Sequence, residues 1–126
     1  MGGPLAESAG KERMIKSVGL LTRRPELTHE EFVRHWVEIH APLAHAVPGV
    51  RRYVQNHILA ERHRADIPTT EVEIDGIAEL WYDDREAMER ANASPEPKRL
   101  HDDGALFIGR IKSFVVEEKV IIPISY

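Results

Sequence analysis

Two periods of apolar residues alternate along the chain, and their alternation predicts the order of elements. From Met14 to Thr22, Ile15, Val18, Leu20 and Leu21 are apolar, and Val18 with Leu20 share one face of a period-two pattern that predicts a strand. Arg23-Arg24-Pro25-Glu26 breaks it. From Thr28 to about Ala44 the period becomes helical. Phe32, Trp36, Ile39 and Leu43 form a stripe that Val33, Val37 and His40 adjoin. Thr28 and Glu31 form a capping box, in which each side chain satisfies a free backbone N–H at the helix start. Pro42 cannot donate a hydrogen bond and disfavours helical geometry at Ala41, so the regular helix is expected to end near His40.

Pro48-Gly49 signals a turn, and Val50 to Ala60 reads as the second strand. Tyr53, Gln55, His57 and Leu59 share one face of it, and Arg52, Val54, Asn56, Ile58 and Ala60 the other. Glu61 to Glu73 is a polar loop, and Ile74 to Tyr82 the third strand. Asp83 or Asp84 caps a short helix to about Ala93. Ser94-Pro95-Glu96-Pro97 interrupts, Lys98 to Leu106 adds a helical turn or two, and Arg110 to Val120 is a β-branched fourth strand.

The order βαββαβ predicts an α+β, ferredoxin-like fold, a four-stranded antiparallel sheet with helices on one face only. The bare face, carrying residues such as Val54, Ile58, Ala78 and Leu80 or their opposite-facing neighbours, would be costly in water. A homodimer meeting through its sheet faces would cover it. The apolar tail Ile121 to Tyr126 is expected to pack on the domain or on a partner subunit.

Composition narrows the function. The 126 residues suit one domain, here 14–126, after a flexible tail from Met1 to Arg13 that lacks the apolar stretch of a signal peptide. A formal charge of −4 and short basic clusters offset by acids argue against a nucleic-acid partner. The absence of cysteine excludes thiolate nucleophiles, disulfides and zinc–sulfur sites, and is compatible with a cytoplasmic protein. No apolar run approaches the roughly 18 residues of a membrane helix, so no membrane partner is expected. A small molecule is the expected ligand, with no cofactor.

The candidate chemistry lies between His35 and His57. His40, at a helix end beside an apolar stripe, is partly desolvated and should titrate near neutrality, as suits a general acid or base. Tyr53, on the next strand, can donate a hydrogen bond to a carbonyl or developing enolate. His57 shares its face. The bland alternative is a satisfied helix-end histidine and a half-buried strand tyrosine. Trp36 and Trp81 offer an aromatic wall for a flat ligand, or simply core. Asp75 and Glu79 share the face of Ile77 and Trp81, where a carboxylate would orient His40 or bind a hydroxyl, or equally serve the barrel surface or a dimer contact. Metal chemistry is the rival. However, His35, His40 and His45 are spaced by five, about 500° on an α-helix, and so should diverge. The spacing H-E-x-x-H is also absent.

Trp36 with His40-Ala41-Pro42-Leu43, then Pro48-Gly49-Val50-Arg51-Arg52-Tyr53, then Asp75-Gly76-Ile77-Ala78-Glu79-Leu80-Trp81-Tyr82 make a fairly specific combination. With Thr28-His29-Glu30-Glu31-Phe32 and Phe107, it resembles the EthD family of the dimeric α+β barrel superfamily, from Met14 to about Val120. The resemblance implies a dimer with a cleft between helices and sheet. It also implies a cofactor-independent isomerase or lyase of the cyclase, dehydratase or decarboxylase type, acting on a lactone, polyketide or aromatic intermediate. His40 and Tyr53 would be catalytic, and Trp36, His57, Glu79 and Trp81 would shape the pocket. A non-catalytic binding protein or a cofactor-free monooxygenase would use the same scaffold.

Overall fold

A computed structural model describes residues 14–125; the tail expected over 1–13 lies outside them. The strands are β1 (Ile15–Arg23), β2 (Arg52–His57), β3 (Gly76–Tyr82) and β4 (Ile108–Glu117). The helices are α1 (His29–His35), a π-helical stretch (Trp36–His40), α2 (Ala41–Ala44), α3 (Arg85–Ala93) and α4 (Pro97–Phe107). The sheet runs β2-β3-β1-β4 and every pairing is antiparallel, as the element order requires of a ferredoxin-like fold.

The local signals act as expected at the helix starts. Thr28 Oγ1 accepts from the Glu31 amide at 3.1 Å, and the Thr28 amide donates to Glu31 Oε1 at 2.8 Å. Asp84, the second of the two candidate caps, accepts from the Ala87 amide at 2.7 Å and starts α3. The segment after Ser94 is longer than a turn or two. Pro97 fits the first turn of α4, where its missing N–H would have had no partner, and the helix runs to Phe107.

Register divides the sheet into two faces. Cross-strand pairs Gly19↔Ala78, Ser17↔Leu80, Tyr53↔Leu80 and Gly19↔Ser113 turn toward the helices. Val18↔Glu79, Leu20↔Ile77, Val54↔Glu79 and Val18↔Phe114 turn away. Val54 therefore does sit on the bare face, but Ala78 and Leu80 belong under the helices. Even residues of β2 pair with odd residues of β3, so these cannot share a face with Val54. Among the described residues, Ile121, Ile122 and Ile124 of the tail are 86%, 88% and 74% exposed, so this stretch does not pack on the domain.

The core falls into two clusters. One is Leu21, Phe32, Trp36 and Phe107; the other is Val47, Tyr82, Ala87, Met88 and Ala91. Gly76 is required beside the first, since a Cβ there would collide with the Trp36 ring. Phe107 is fully buried and holds three rings at once. Its centroid lies 5.2 Å from Phe32, 4.5 Å from His35 and 5.0 Å from His40. Phe107→Ala should therefore cost about 3–5 kcal/mol of stability in denaturant unfolding, and Phe107→Leu, which removes less volume, should cost less than Phe107→Ala.

Candidate active site

The helix does not stop at His40. It changes pitch. Pro42 has no N–H for the Glu38 carbonyl, and its ring would press on that carbonyl in a regular α-helix. The chain instead widens by one residue: the Ala41 amide bonds the Trp36 carbonyl, a five-residue step. Gln55 Nε2 donates to the same carbonyl at 3.0 Å. Pro42 then sits at the start of α2, where it is tolerated.

The inserted residue re-aims everything downstream. The buried stripe becomes Phe32, Trp36, His40 and Ala44, not Phe32, Trp36, Ile39 and Leu43; Ile39 is 52% exposed. It also overturns the expected divergence of His35 and His40. A turn that takes in one more residue brings side chains five apart to one side of the helix. Both histidines meet Asp103 of α4. His40 Nδ1 lies 2.8 Å from Oδ2, and His35 Nε2 lies 3.0 and 3.1 Å from the two oxygens.

This fixes the chemistry of His40. A carboxylate only accepts, so Nδ1 carries the hydrogen and Nε2 keeps its lone pair. Nε2 makes no hydrogen bond among the described residues, yet it is not sealed away, and His40 is on the wall of a cavity of about 760 Å³. Burial pushes the His40 pKa below its usual value, and the Asp103 bond and charge oppose but do not overcome this. The resting ring is neutral, and its Nε2 lone pair is uncommitted among the described residues.

Tyr53 is on the same wall. Burial pushes its phenol up, so it stays protonated at neutral pH. Its oxygen accepts from Gln55 Nε2 at 2.9 Å, which leaves its own hydrogen free to be donated. Gln55 thus braces both the helix widening and the phenol. Its remaining oxygen lies 3.0 Å from His57 Nε2.

The cavity lies between helices and sheet, between the two core clusters. Trp36 and Leu21 wall it from one, and Val47, Tyr82 and Met88 from the other. Ile111 and Val115 also line it but are 59% and 45% exposed, so it opens along β4.

Of the residues expected around the site, His40, Tyr53 and Trp36 come together. His57 shares Tyr53's face but packs behind Trp36, ring centroids 5.1 Å apart, away from the cavity wall. Glu79 and Trp81 are on the opposite face of the sheet, because both are odd-numbered in β3 while the cavity takes Ala78, Leu80 and Tyr82. There Glu79 binds Lys16 Nζ at 2.6 Å and Asn56 Nδ2 at 2.8 Å. Trp81 lies between the cations of Lys16 and Arg52. Asp75 does not orient His40 either. It is 3% exposed and holds the Arg23 amide, Arg23 Nη1 and His29 Nδ1, each at 2.8 Å. Burial works to raise its pKa, but these partners hold it below the usual carboxylate range.

Asp103, His35 and Gln55 were missed. Asp103 had a signal: it interrupts a helical stripe of Leu100, Gly104 and Phe107, and a carboxylate in an apolar stripe needs a partner. Among the described residues no group of three His, Cys, Asp or Glu is arranged to hold a metal ion, and no helix is long and apolar enough to cross a membrane.

The EthD domain model matches residues 24–111. The chain belongs to the EthD family. It is 30% identical over 108 residues to 4-carboxymethyl-4-methylbutenolide mutase of Pseudomonas reinekei, covering 85% of this chain and 100% of that protein. A crystal structure of an EthD family protein from Bacillus halodurans superposes with a TM-score of 0.67 at 28% identity, covering 84% of this chain and 99% of that one. A dimeric protein of ferredoxin-like fold from Bacteroides fragilis has a TM-score of 0.60 at 13% identity, covering 83% and 96%.

The titration of His40 tests the geometry without a substrate. Followed by NMR at Cε1–H, its midpoint should fall below about 6.5, the free-histidine value. Asp103→Asn should lower it further, because the only influence raising it strongly is removed. A proton bound less readily folded than unfolded means this ring's contribution to stability is present above the unfolded-state pKa. It is lost as pH falls through the folded-state pKa. A midpoint at or above the free value would contradict the placement.

Proposed function

We propose that this EthD family member is a cofactor-independent isomerase or lyase acting by proton transfer on a lactone, polyketide or aromatic intermediate. The observation that carries this reading is the pairing of a neutral, Asp103-braced imidazole and a protonated phenol on one cavity wall. His40 Nε2 takes a proton from the carbon next to a carbonyl. Tyr53 donates to the carbonyl oxygen as it gains negative charge, which a positioned donor in a dry site stabilises well. The imidazolium, favoured by Asp103, returns the proton at another carbon to isomerise the substrate, or passes it to a leaving group to complete an elimination. Kinship with a butenolide mutase supports the isomerase branch.

Lactones and enones offered in heavy water should exchange their acidic C–H hydrogens or yield isomers visible by NMR. His40→Ala and Tyr53→Phe should each slow this by about 10²-fold or more. Rates unchanged in both variants would remove the mechanism. Asp103→Asn should lower the plateau and shift the acid limb of the rate profile toward lower pH. A change in stability alone would leave that limb where it was.

The acting form is a homodimer through the outer sheet faces. Val18, Leu20, Val54 and Ile77 lie there with Phe114, which is 44% exposed, and the uncovered apolar tail supports a second copy. Sedimentation should give twice the chain mass, and Phe114→Lys should shift it toward the single chain. A wild-type monomer at micromolar concentration would refute the dimer.

A further inference from the structure

The butenolide mutase is named for a compound bearing a carboxymethyl group. Among the described residues, the cavity between helices and sheet has no lysine or arginine on its wall, and no aspartate or glutamate. Its polar side chains are Ser17, Ser113, Asn92, His101, His40 and the tyrosines 53 and 82. We propose that it takes an uncharged, flat, oxygen-bearing molecule, such as a neutral phenol, quinone or lactone, and turns away carboxylates. The inference rests on the reading of this cavity as the active site and names its substrate class.

Three observations carry it. First, a carboxylate placed here would lose water without meeting a lysine or arginine among the described residues of the wall, and the loss is large for an ion without a partner. Burial keeps His40 in its neutral form, so its ring supplies no cation in the resting state. Asp103, directly behind His40 at 2.8 Å, adds a repelling field.

Second, the floor suits a flat ring. Gly19 and Ala78 are cross-strand neighbours beneath the cavity, and a Cβ at Gly19 would come no nearer than 3.6 Å to Ile111 or Leu21. A Cβ there would make ordinary van der Waals contact without a clash, and a larger side chain would reach into the cavity that Gly19 lines. A glycine within a strand commonly marks such a close approach.

Third, the neutral donors and acceptors are spread around the walls. Ser17 comes from β1, Ser113 from β4 and Asn92 from α3. Oxygens at several points of a ring system would meet them, and about 760 Å³ lies in the range of sites for drug-sized molecules.

Calorimetric titration of the full chain at neutral pH with 2-naphthol and with 2-naphthoate tests this, because the two share a ring system and differ in charge. Saturable binding of 2-naphthol is expected, with 2-naphthoate weaker by about tenfold or more. Gly19→Leu, checked for folding by circular dichroism, should abolish naphthol binding. Equal or tighter binding of 2-naphthoate, or no saturable binding of 2-naphthol, overturns the proposal. So does undiminished naphthol binding to a folded Gly19→Leu. If that variant does not fold, the wild-type comparison decides alone. His40→Gln separates the two readings. Should it leave proton transfer unchanged while naphthol still outcompetes naphthoate, the mechanism fails and the substrate class stands.

Discussion

The site depends on a hydrogen bond that Pro42 cannot make. A regular helix from Thr28 to Ala44 would leave the Glu38 carbonyl facing the proline ring. Widening the turn relieves this, and the Trp36 carbonyl then serves two donors, the Ala41 amide and the Gln55 side chain. One extra residue in the turn is a small change of backbone. Its effect on side-chain direction is large, about 100° for everything beyond it on an α-helical scale. That rotation carries Ile39 into solvent and His40 onto the cavity wall. Helix widenings of this kind recur at functional sites because they aim one side chain without disturbing the helix on either side.

Asp103 completes what the widened turn begins. A carboxylate buried this deeply is stable only with partners, and it has two histidines from the turn opposite. His35 spans both of its oxygens and so fixes the plane of the carboxylate. His40 takes one of those oxygens in the direction left open. The tautomer of His40 is thereby set from the protein side. Phe107, three residues beyond Gly104 on the same helix, touches both imidazole rings and the core behind them. The site and the first core cluster are thus one packed unit, and the hydrophobic contacts that stabilise the fold also hold the His40 ring in place.

Periodicity made most of the fold legible. Alternation in Val50–Ala60 and Ile74–Tyr82 gave strands within two or three residues of their ends, and the Thr28–Glu31 pair marked a helix start that the hydrogen bonds reproduce. His40, Tyr53 and Trp36 were legible too, as polar or aromatic groups beside apolar stripes. Register was not. Whether Glu79 or Leu80 faces the helices depends on a single-residue offset between strands distant in sequence, and alternating residues on both sides of β3 are compatible with either. Trp81 misled for the same reason. It is a large apolar residue on the face without helices, nearly buried by two cationic side chains lying over its ring. The partnership of Asp103 with two histidines more than sixty residues away is likewise a product of tertiary packing, visible in sequence only as a charge in an apolar stripe.

The two faces of the sheet make different demands, and the sequence meets them with different side chains. Beneath the helices, Ser17, Gly19 and Ala78 are small, so the sheet does not fill the space above it and two core clusters stand apart with a cavity between. An unfilled gap forfeits dispersion contacts on every wall, a cost that well-packed interiors avoid. On the outer face the chain does the reverse. Glu79 accepts from Lys16 and Asn56, Lys16 donates also to Glu118 and Asn56 to the Ile77 carbonyl, so these polar groups are satisfied without any ligand. Polar atoms on the cavity side, by contrast, keep bonding capacity in reserve: Nε2 of His40 has no hydrogen-bond partner among the described residues, and the Tyr53 hydrogen is free to be donated. A face that satisfies itself is suited to assembly. A face that retains both space and unmade hydrogen bonds is suited to receiving a molecule and acting on it.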